Sequence, residues 1–194
     1  MPQFVAIEPK AEVLGDAVLA VVEAGRGAFR PMMIDILAAH GIRDPQRGHW
    51  YRQQHWLDAF RAISDRIGQD TLYAIGTKIP ENAVWPPDVD AEAKALASID
   101  VAYHMNHRVG DLVLFDPETG TMHEGIGHYG FEQTGERAAT MVCDNPYPCA
   151  FDRGIIEAAA KRFAAQSFLV NAVHDDSCDC RNRGGESCTY HVNW

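Results

Sequence analysis

The sequence lacks any apolar run of about 18 residues, the length that a membrane-spanning helix needs. Its start has neither the basic residues nor the apolar stretch of a secretion signal. Clusters of lysine and arginine are also missing, and the formal net charge is −10. Because phosphate binding needs concentrated positive charge, this composition argues against a nucleic-acid surface. We therefore expect a cytoplasmic protein that binds neither nucleic acid nor membrane.

The motifs of several common enzyme classes are absent too. There is no glycine-rich phosphate loop, no G-x-S-x-G nucleophile elbow and no H-E-x-x-H zinc motif. These absences weaken the case for a nucleotide-binding protein or a hydrolase, and they leave open whether any reaction is catalysed. With 194 residues, of which 46% are hydrophobic, the chain suits a single domain over 1–194.

Apolar periodicity divides that domain into a mainly helical part, 1–107, and a part with strands, 108–194. Helical spacing is seen at 11–24, 31–39, 52–67, 71–79 and 90–107. Later segments have strand character at 112–115, 121–129, 137–143, 169–173 and 187–194, with a long helix over 152–168. This order predicts an α+β fold: N-terminal helices packed on an antiparallel sheet, then a final long helix and a C-terminal hairpin.

The first predicted helix has an unusually apolar face, which includes Val13, Val18 and Val21. Such a face packs either into the core of its own chain or against a second copy, because buried and dimeric faces have the same composition. The sequence leaves both alternatives open, and we expect a homodimer.

Three of the five cysteines lie close together near the C-terminus, at Cys178, Cys180 and Cys188. In a reducing compartment, cysteines beside histidine and aspartate ligate metal or do redox work more often than they form disulfides. Zinc suits thiolate and imidazole ligands in a tetrahedron. Cys143 and Cys149 are the nearest upstream candidates, and we expect a site of Cys149, Cys180 and Cys188, completed by Cys178 or His174. In the alternative, the cysteines are buried apolar residues that bind nothing.

The segment from Cys149 to the C-terminus resembles the 4-vinyl reductase domain, which also forms the sensor module of phenol-responsive activators. The resemblance rests on Cys149-Ala-Phe-Asp-Arg-Gly-Ile-Ile at a helix start and on Cys180 and Cys188, which have seven residues between them. It implies a structural zinc beside a pocket for a small hydrophobic or aromatic molecule. It also implies a fold shared with haem nitric-oxide-binding domains and vesicle-tethering subunits. The glutamate of the family's zinc site is replaced here by Ser177, so the fourth ligand stays open.

Histidines supply the polar candidates for such a pocket. His104 and His107 are three residues apart at a helix end and share a face. His128 precedes Cys149 by about the distance at which phenol sensors place an aromatic pocket residue, and it is the preferred polar group. Trp56 and Tyr129 are among the aromatic candidates for the wall, although most aromatic residues at helical spacing belong to the core.

Three functions follow from these patterns. The first is a sensor or carrier protein with a structural zinc next to a buried, largely apolar pocket. The second is an enzyme or gas sensor that uses haem or non-haem iron at His104, His107 and His128; a facial set with Glu124 would suit iron or zinc. The third is a scaffold that dimerises through its first helix.

Overall fold

Six α-helices and ten strands form an α+β domain in the computed structural model, which describes residues 3–25 and 29–194. The helices are α1 Gly15–Ala24, α2 Phe29–Ala39, α3 Gln53–Arg66, α4 Gln69–Asn82, α5 Glu92–Met105 and α6 Cys149–Phe163. The strands are β1 Ala11–Leu14, β2 Trp50–Arg52, β3 His107–Val109, β4 Leu112–Val113, β5 Phe115–Asp116, β6 Thr121–Met122, β7 Tyr129–Gly135, β8 Ala138–Cys143, β9 Asn171–His174 and β10 Cys188–Asn193. The predicted fold class is confirmed.

All strand pairs are antiparallel. One four-stranded sheet has the order β2-β1-β3-β4, and a second has the order β7-β8-β10-β9. Strands β9 and β10 form the predicted C-terminal hairpin, in which Tyr190 pairs with His174. Strand β10 also pairs with β8, where Cys188 lies opposite Cys143. The hairpin is therefore fixed in the second sheet, and its cysteines are brought towards the start of α6.

Several predicted boundaries are wrong. The first predicted helix includes residues 11–14, but they form β1, and the helix begins at Gly15. The sequence predicts one strand over 121–129, but β6 ends at Met122 and the residues up to His128 form a loop. The sequence predicts one sheet, but the strands occupy two four-stranded sheets and a two-stranded one.

The apolar side of α1 lies inside its own chain. Val18 and Val21 have no exposed surface, and Val22 is 4% exposed. These side chains belong to the same core cluster as Leu72 of α4. This packing supports the core alternative for the apolar face. The homodimer stays a prediction. Because the apolar side of α1 is buried within its own chain, it is not available to form the dimer interface.

Helices α4 and α6 touch backbone to backbone. A Cβ atom on Gly76 would lie 2.2 Å from the carbonyl oxygen of Phe151, and one on Gly154 would lie 2.3 Å from that of Tyr73. Because no larger side chain fits there, the two glycines let the helices approach closely. The contact fixes the first two turns of α6, which begin with Cys149 and include Ile155.

Candidate metal and ligand sites

The sulfur atoms of three cysteines meet where the C-terminal hairpin approaches α6. Cys149 is the first residue of α6, Cys180 precedes a short 3-10 helix, and Cys188 begins β10. The Sγ–Sγ distances are 3.6 Å for Cys149–Cys180, 3.3 Å for Cys149–Cys188 and 3.8 Å for Cys180–Cys188. Zinc–sulfur bonds of about 2.3 Å in a tetrahedron require about 3.8 Å, whereas a disulfide requires about 2.05 Å. The three thiols have the spacing of metal ligands, and none forms a disulfide.

His174, the last residue of β9, completes the group. One ligand atom from each of the four residues lies within 4.8 Å of the others. The Nε2 atom of His174 is buried and has no hydrogen-bond partner, while Nδ1 lies 3.0 Å from the Asp176 carboxylate. A carboxylate on the far nitrogen orients many metal-bound histidines. The arrangement of Cys149, His174, Cys180 and Cys188 fits zinc, which would be held by four protein ligands.

The other two cysteines lie outside this group. Cys178 is exposed, and its thiol donates to Oδ2 of Asp175 at 3.1 Å. Ser177 donates to Oδ1 of the same carboxylate, so the turn is closed by Asp175 and holds Cys178 away from the other thiols. Cys143 is buried in β8. Of the two candidates for the fourth ligand, the structure brings His174 to the three thiols.

Charge around the thiols favours a thiolate. The hydrogen bond from Cys149 lowers the pKa of Cys188, and the positive charge of Arg181 acts in the same direction. The same hydrogen bond raises the pKa of the donor, Cys149. Gln3 also donates from Nε2 to Sγ of Cys149 at 2.7 Å. Because the thiolate is the form that binds metal, the site is prepared for a cation.

A buried ion pair stands behind the thiol group, and sequence reasoning missed it. Arg181 donates from Nη2 to Oδ2 of Asp152 and from Nη1 to Oδ1 of Asn145. The hydroxyl of Tyr129 donates to Oδ1 of Asp152 at 2.6 Å. Burial raises the pKa of Asp152 to about 6, against the opposing effects of Arg181 and Tyr129. This network joins the residue after Cys180 to the cavity described next.

A cavity of about 150 Å³ lies between helices α1, α3, α4, α5 and α6. Six tryptophan, tyrosine and phenylalanine residues lie on its wall, with one histidine among the residues that the structure describes. These are Trp56, Trp85, Tyr103, His107, Tyr129, Tyr147 and Phe151. Six further polar residues also line it: Asp16, Arg47, Lys78, Asn82, Ser98 and Asn106. The cavity is thus a largely apolar space with a few polar groups, the composition typical of small-molecule sites.

Hydrogen bonds fix the state of His107. Its Nδ1 lies 2.7 Å from the carbonyl oxygen of Tyr103, which can only accept, so Nδ1 carries the proton. Its Nε2 lies 2.6 Å from the hydroxyl of Tyr147, which donates to it and accepts from Nε2 of Gln53 at 3.1 Å. Burial lowers the pKa of His107 to about 4. The imidazole is therefore neutral at physiological pH.

Trp56 carries an unused donor. Its indole is 1% exposed, and its Nε1 atom has no hydrogen-bond partner. A buried N–H group without an acceptor is costly, by roughly 1–3 kcal/mol, and such a group in a native structure calls for an explanation. An acceptor on a molecule in the cavity would supply one.

Three of the five predicted pocket residues, Trp56, His107 and Tyr129, lie on the cavity wall. His104 and His128 do not. His104 is buried on α5, and its ring lies 5.0 Å from that of His128, which is a third exposed. The loop before β7 turns His128 outwards to Asp100 and Glu124, so the position preferred from sequence is not on the wall.

The comparisons with known proteins place this chain by its fold. No family model matches the sequence, and no curated protein matches it. Solved structures of H-NOX proteins do. One from Shewanella oneidensis in the Fe(II)NO ligation state has a TM-score of 0.65 and 15% identity, covering 93% of this chain and 98% of that chain. An Fe(II) unliganded H-NOX protein from K. algicida has a TM-score of 0.59 and 14% identity, covering 93% and 95%.

These matches show an H-NOX-like α+β fold, in agreement with the fold expected from the resemblance. At such low identity, they carry no assignment of ligand. Among the described residues, no helix is long and apolar enough to cross a membrane.

Proposed function

We propose that this protein is a cytoplasmic sensor or carrier for a small aromatic molecule, related to the 4-vinyl reductase domain and stabilised by a structural zinc ion. The observation that carries the proposal is the cavity of about 150 Å³ with an aromatic wall and the unpartnered Nε1 of Trp56. The zinc-type ligand set lies at the other end of the Tyr129–Asp152–Arg181 network.

The volume of the cavity indicates which class of ligand fits it. An engineered protein cavity of about 150 Å³ binds benzene, whereas drug-sized ligands occupy pockets of roughly 300–1,000 Å³. The volume here therefore suits one aromatic ring with small substituents. The aromatic side chains of Tyr103, Tyr129 and Phe151 offer stacking and edge contacts to such a ring.

Polar groups on the cavity wall indicate which substituent the bound ring carries. The indole N–H of Trp56 needs an acceptor. The Tyr147 oxygen accepts one hydrogen bond from Gln53 and has a second lone pair for a donor. A hydroxyl group both accepts and donates, so a phenol satisfies Trp56 and Tyr147 together. We expect phenol to bind more tightly than benzene.

Calorimetry with phenol and benzene tests this proposal on the full chain. The Trp56→Phe variant keeps a ring but removes the donor, and it should weaken phenol binding about tenfold relative to benzene, as the loss of one hydrogen bond implies. His128→Asn is the matched control, because His128 lies off the cavity wall, and it should bind phenol like the wild type. Failure of both probes to bind would refute the proposal.

The zinc has a structural role in this proposal. Four protein ligands leave no open coordination position, so the ion ties the hairpin to the start of α6 and does not catalyse. Elemental analysis of untagged protein should find about one zinc per chain. Cys188→Ser should lose the metal, whereas Cys178→Ser should keep it, because Cys178 is exposed and bonded to Asp175.

The fold comparison favours a second candidate, a haem-binding gas sensor, since the similar structures include H-NOX proteins in Fe(II) states. His107 is the cavity histidine that would bind the iron. The arrangement does not fit the group: a porphyrin is several times larger than benzene, and Nε2 of His107 is bonded to Tyr147. An absorption spectrum recorded after haem addition distinguishes the haem sensor from the phenol-binding protein. We expect no Soret band that is sensitive to His107→Ala; such a band would replace the phenol proposal.

A further inference from the structure

A second group of metal-ligand side chains lies on α5 and in the loop before β7. Asp100 and His104 are one helical turn apart on α5, and His128 ends the loop before β7. One ligand atom from each lies within 4.8 Å of the other two. Two imidazoles and a carboxylate at this spacing are a set that first-row divalent metal ions prefer.

His104 has a ring nitrogen that no protein group uses. Its side chain has no exposed surface. Its Nδ1 lies 2.8 Å from the backbone carbonyl of Asp100, an acceptor, so Nδ1 carries the proton and Nε2 holds a bare lone pair. This buried Nε2 has no hydrogen-bond partner. A metal ion would use the lone pair that the fold leaves unsatisfied, while the carbonyl fixes the tautomer, as in many metal-bound histidines.

Negative charge concentrates around His128. Its Nδ1 lies 3.0 Å from Oδ2 of Asp100, and its Nε2 lies 2.7 Å from Oε2 of Glu124, so both nitrogens carry protons, and a metal ion would displace one of them. Its backbone N–H donates to the Asp144 carboxylate. No lysine or arginine forms an ion pair with Asp100 or Glu124 within the described part of the chain. Three carboxylates beside two imidazoles make a favourable place for a divalent cation.

The group is also open to solvent. The side chains of His128 and Glu124 are 32% and 77% exposed, whereas that of Asp100 is 21% exposed. The outer side of the group is therefore accessible to an ion from solvent, past Glu124. The thiol group is built from other elements and shares no residue with this one.

We propose that Asp100, His104 and His128 form a second metal site, for a first-row divalent ion such as Fe(II), with the Glu124 carboxylate at its outer side. The site contains two histidines and one carboxylate, and its remaining coordination positions are open to water or a small ligand. It is independent of the proposed phenol binding, because none of its residues lines the cavity.

The site touches the cavity wall through one residue. The backbone N–H of Tyr129 donates to Oδ1 of Asp100 at 2.8 Å, and the same tyrosine presents its ring to the cavity. Ile99 and Tyr103, on either side of Asp100 in α5, line the cavity as well. An ion on the Asp100 carboxylate is thus one hydrogen bond away from the pocket.

Cobalt(II) distinguishes the two sites by absorption. Thiolate ligands give cobalt intense charge-transfer bands in the near ultraviolet, whereas nitrogen and oxygen ligands give only weak d–d bands. We expect the zinc-loaded full chain to bind one further cobalt with d–d bands alone, its zinc content unchanged by elemental analysis. Cobalt that fails to bind, or that binds only with thiolate bands while zinc is lost, would overturn the proposal.

Variants test the ligands. His128→Asn should weaken the second cobalt at least about tenfold, the scale seen when the supporting groups of metal sites are removed. Glu124→Gln is a milder change on an exposed side chain, and it should weaken cobalt binding without affecting the fold. His123→Asn, in the same loop, is the control and should bind like the wild type. Equal cobalt affinity in His128→Asn, Glu124→Gln and His123→Asn would refute the assignment.

Discussion

Arg181 and Asp152 form an ion pair in which neither side chain has any exposed surface. The guanidinium comes from the turn after Cys180, and the carboxylate from the first turn of α6. Asn145 and Tyr129 form further hydrogen bonds to the pair. The pair thus links the segment that carries the thiols to the helix that supports the cavity.

Removing one partner should be strongly destabilising. Arg181→Met leaves the Asp152 carboxylate buried without its cation, and we expect the free energy of unfolding to fall by about 3–5 kcal/mol. The double variant Arg181→Met/Asp152→Leu leaves no charge and should recover much of this loss. Chemical denaturation measures both. Arg183→Met, which alters a half-exposed ion pair with Asp176, is the control and should change stability by about 1 kcal/mol or less. Equal losses in Arg181→Met and Arg183→Met would contradict the role of the buried pair.

Metal removal should reveal which residues hold the hairpin. Because zinc binding to folded ligands contributes directly to folding, a chelator should lower the melting temperature of the wild type. His174→Asn should lower it before chelation and reduce the further effect of the chelator. His191→Asn, an exposed neighbour on β10, is the matched control. If the two variants melt alike and both respond fully to the chelator, His174 is not a ligand.

The neutral state of His107 predicts a pH dependence. Its folded pKa of about 4 lies below the ordinary value of 6.5, so the unfolded chain binds a proton that the folded chain does not. Stability from this group is present above pH 6.5 and is lost as the pH falls towards 4, by about 3 kcal/mol in total.

Unfolding measured from pH 7 to pH 4 in His107→Asn should therefore show a shallower loss than in the wild type. His55→Gln removes an exposed histidine, which leaves the buried imidazole in place, and should reproduce the wild-type slope. An unchanged slope in His107→Asn would show that this imidazole is not the group that resists protonation.

The packing of α1 predicts how its apolar face responds to truncation. Val21 has no exposed surface, so Val21→Ala should lower the free energy of unfolding by about 1–3 kcal/mol without changing the sedimentation coefficient. A dimer held by this face would instead dissociate on dilution more readily in the variant. Sedimentation at several concentrations separates these outcomes and also tests whether the chain is a homodimer.

Strong local signals explain what could be predicted from the sequence. The helix expected at 52–67 is α3, Gln53–Arg66, because its apolar stripe is uninterrupted and Gly68 follows it. The apolar residues at 11–14 were ambiguous, because a short apolar run fits a strand or a helix, and only pairing with β2 and β3 decides.

Long-range contacts determine the features that could not be predicted from the sequence. The cysteine cluster and the family resemblance pointed to Cys149, Cys180 and Cys188. His174 and Cys178 are only four residues apart, and only the turn around Asp175 shows which one meets the thiols. The pairing of Arg181 with Asp152 crosses 29 positions and leaves no local pattern.

Helix α6 is a rod of 15 residues, roughly 22 Å long, that is clamped at Gly154 against α4. One end carries the Cys149 thiol, and Phe151, half a turn further on, forms part of the cavity wall. A rod held in this way transmits displacement along its axis with little bending. A molecule that displaces Phe151 would therefore also displace the Cys149 thiol, and with cobalt bound at the proposed zinc site the vibrational frequency of the cobalt–sulfur bond would report whether the cavity is occupied.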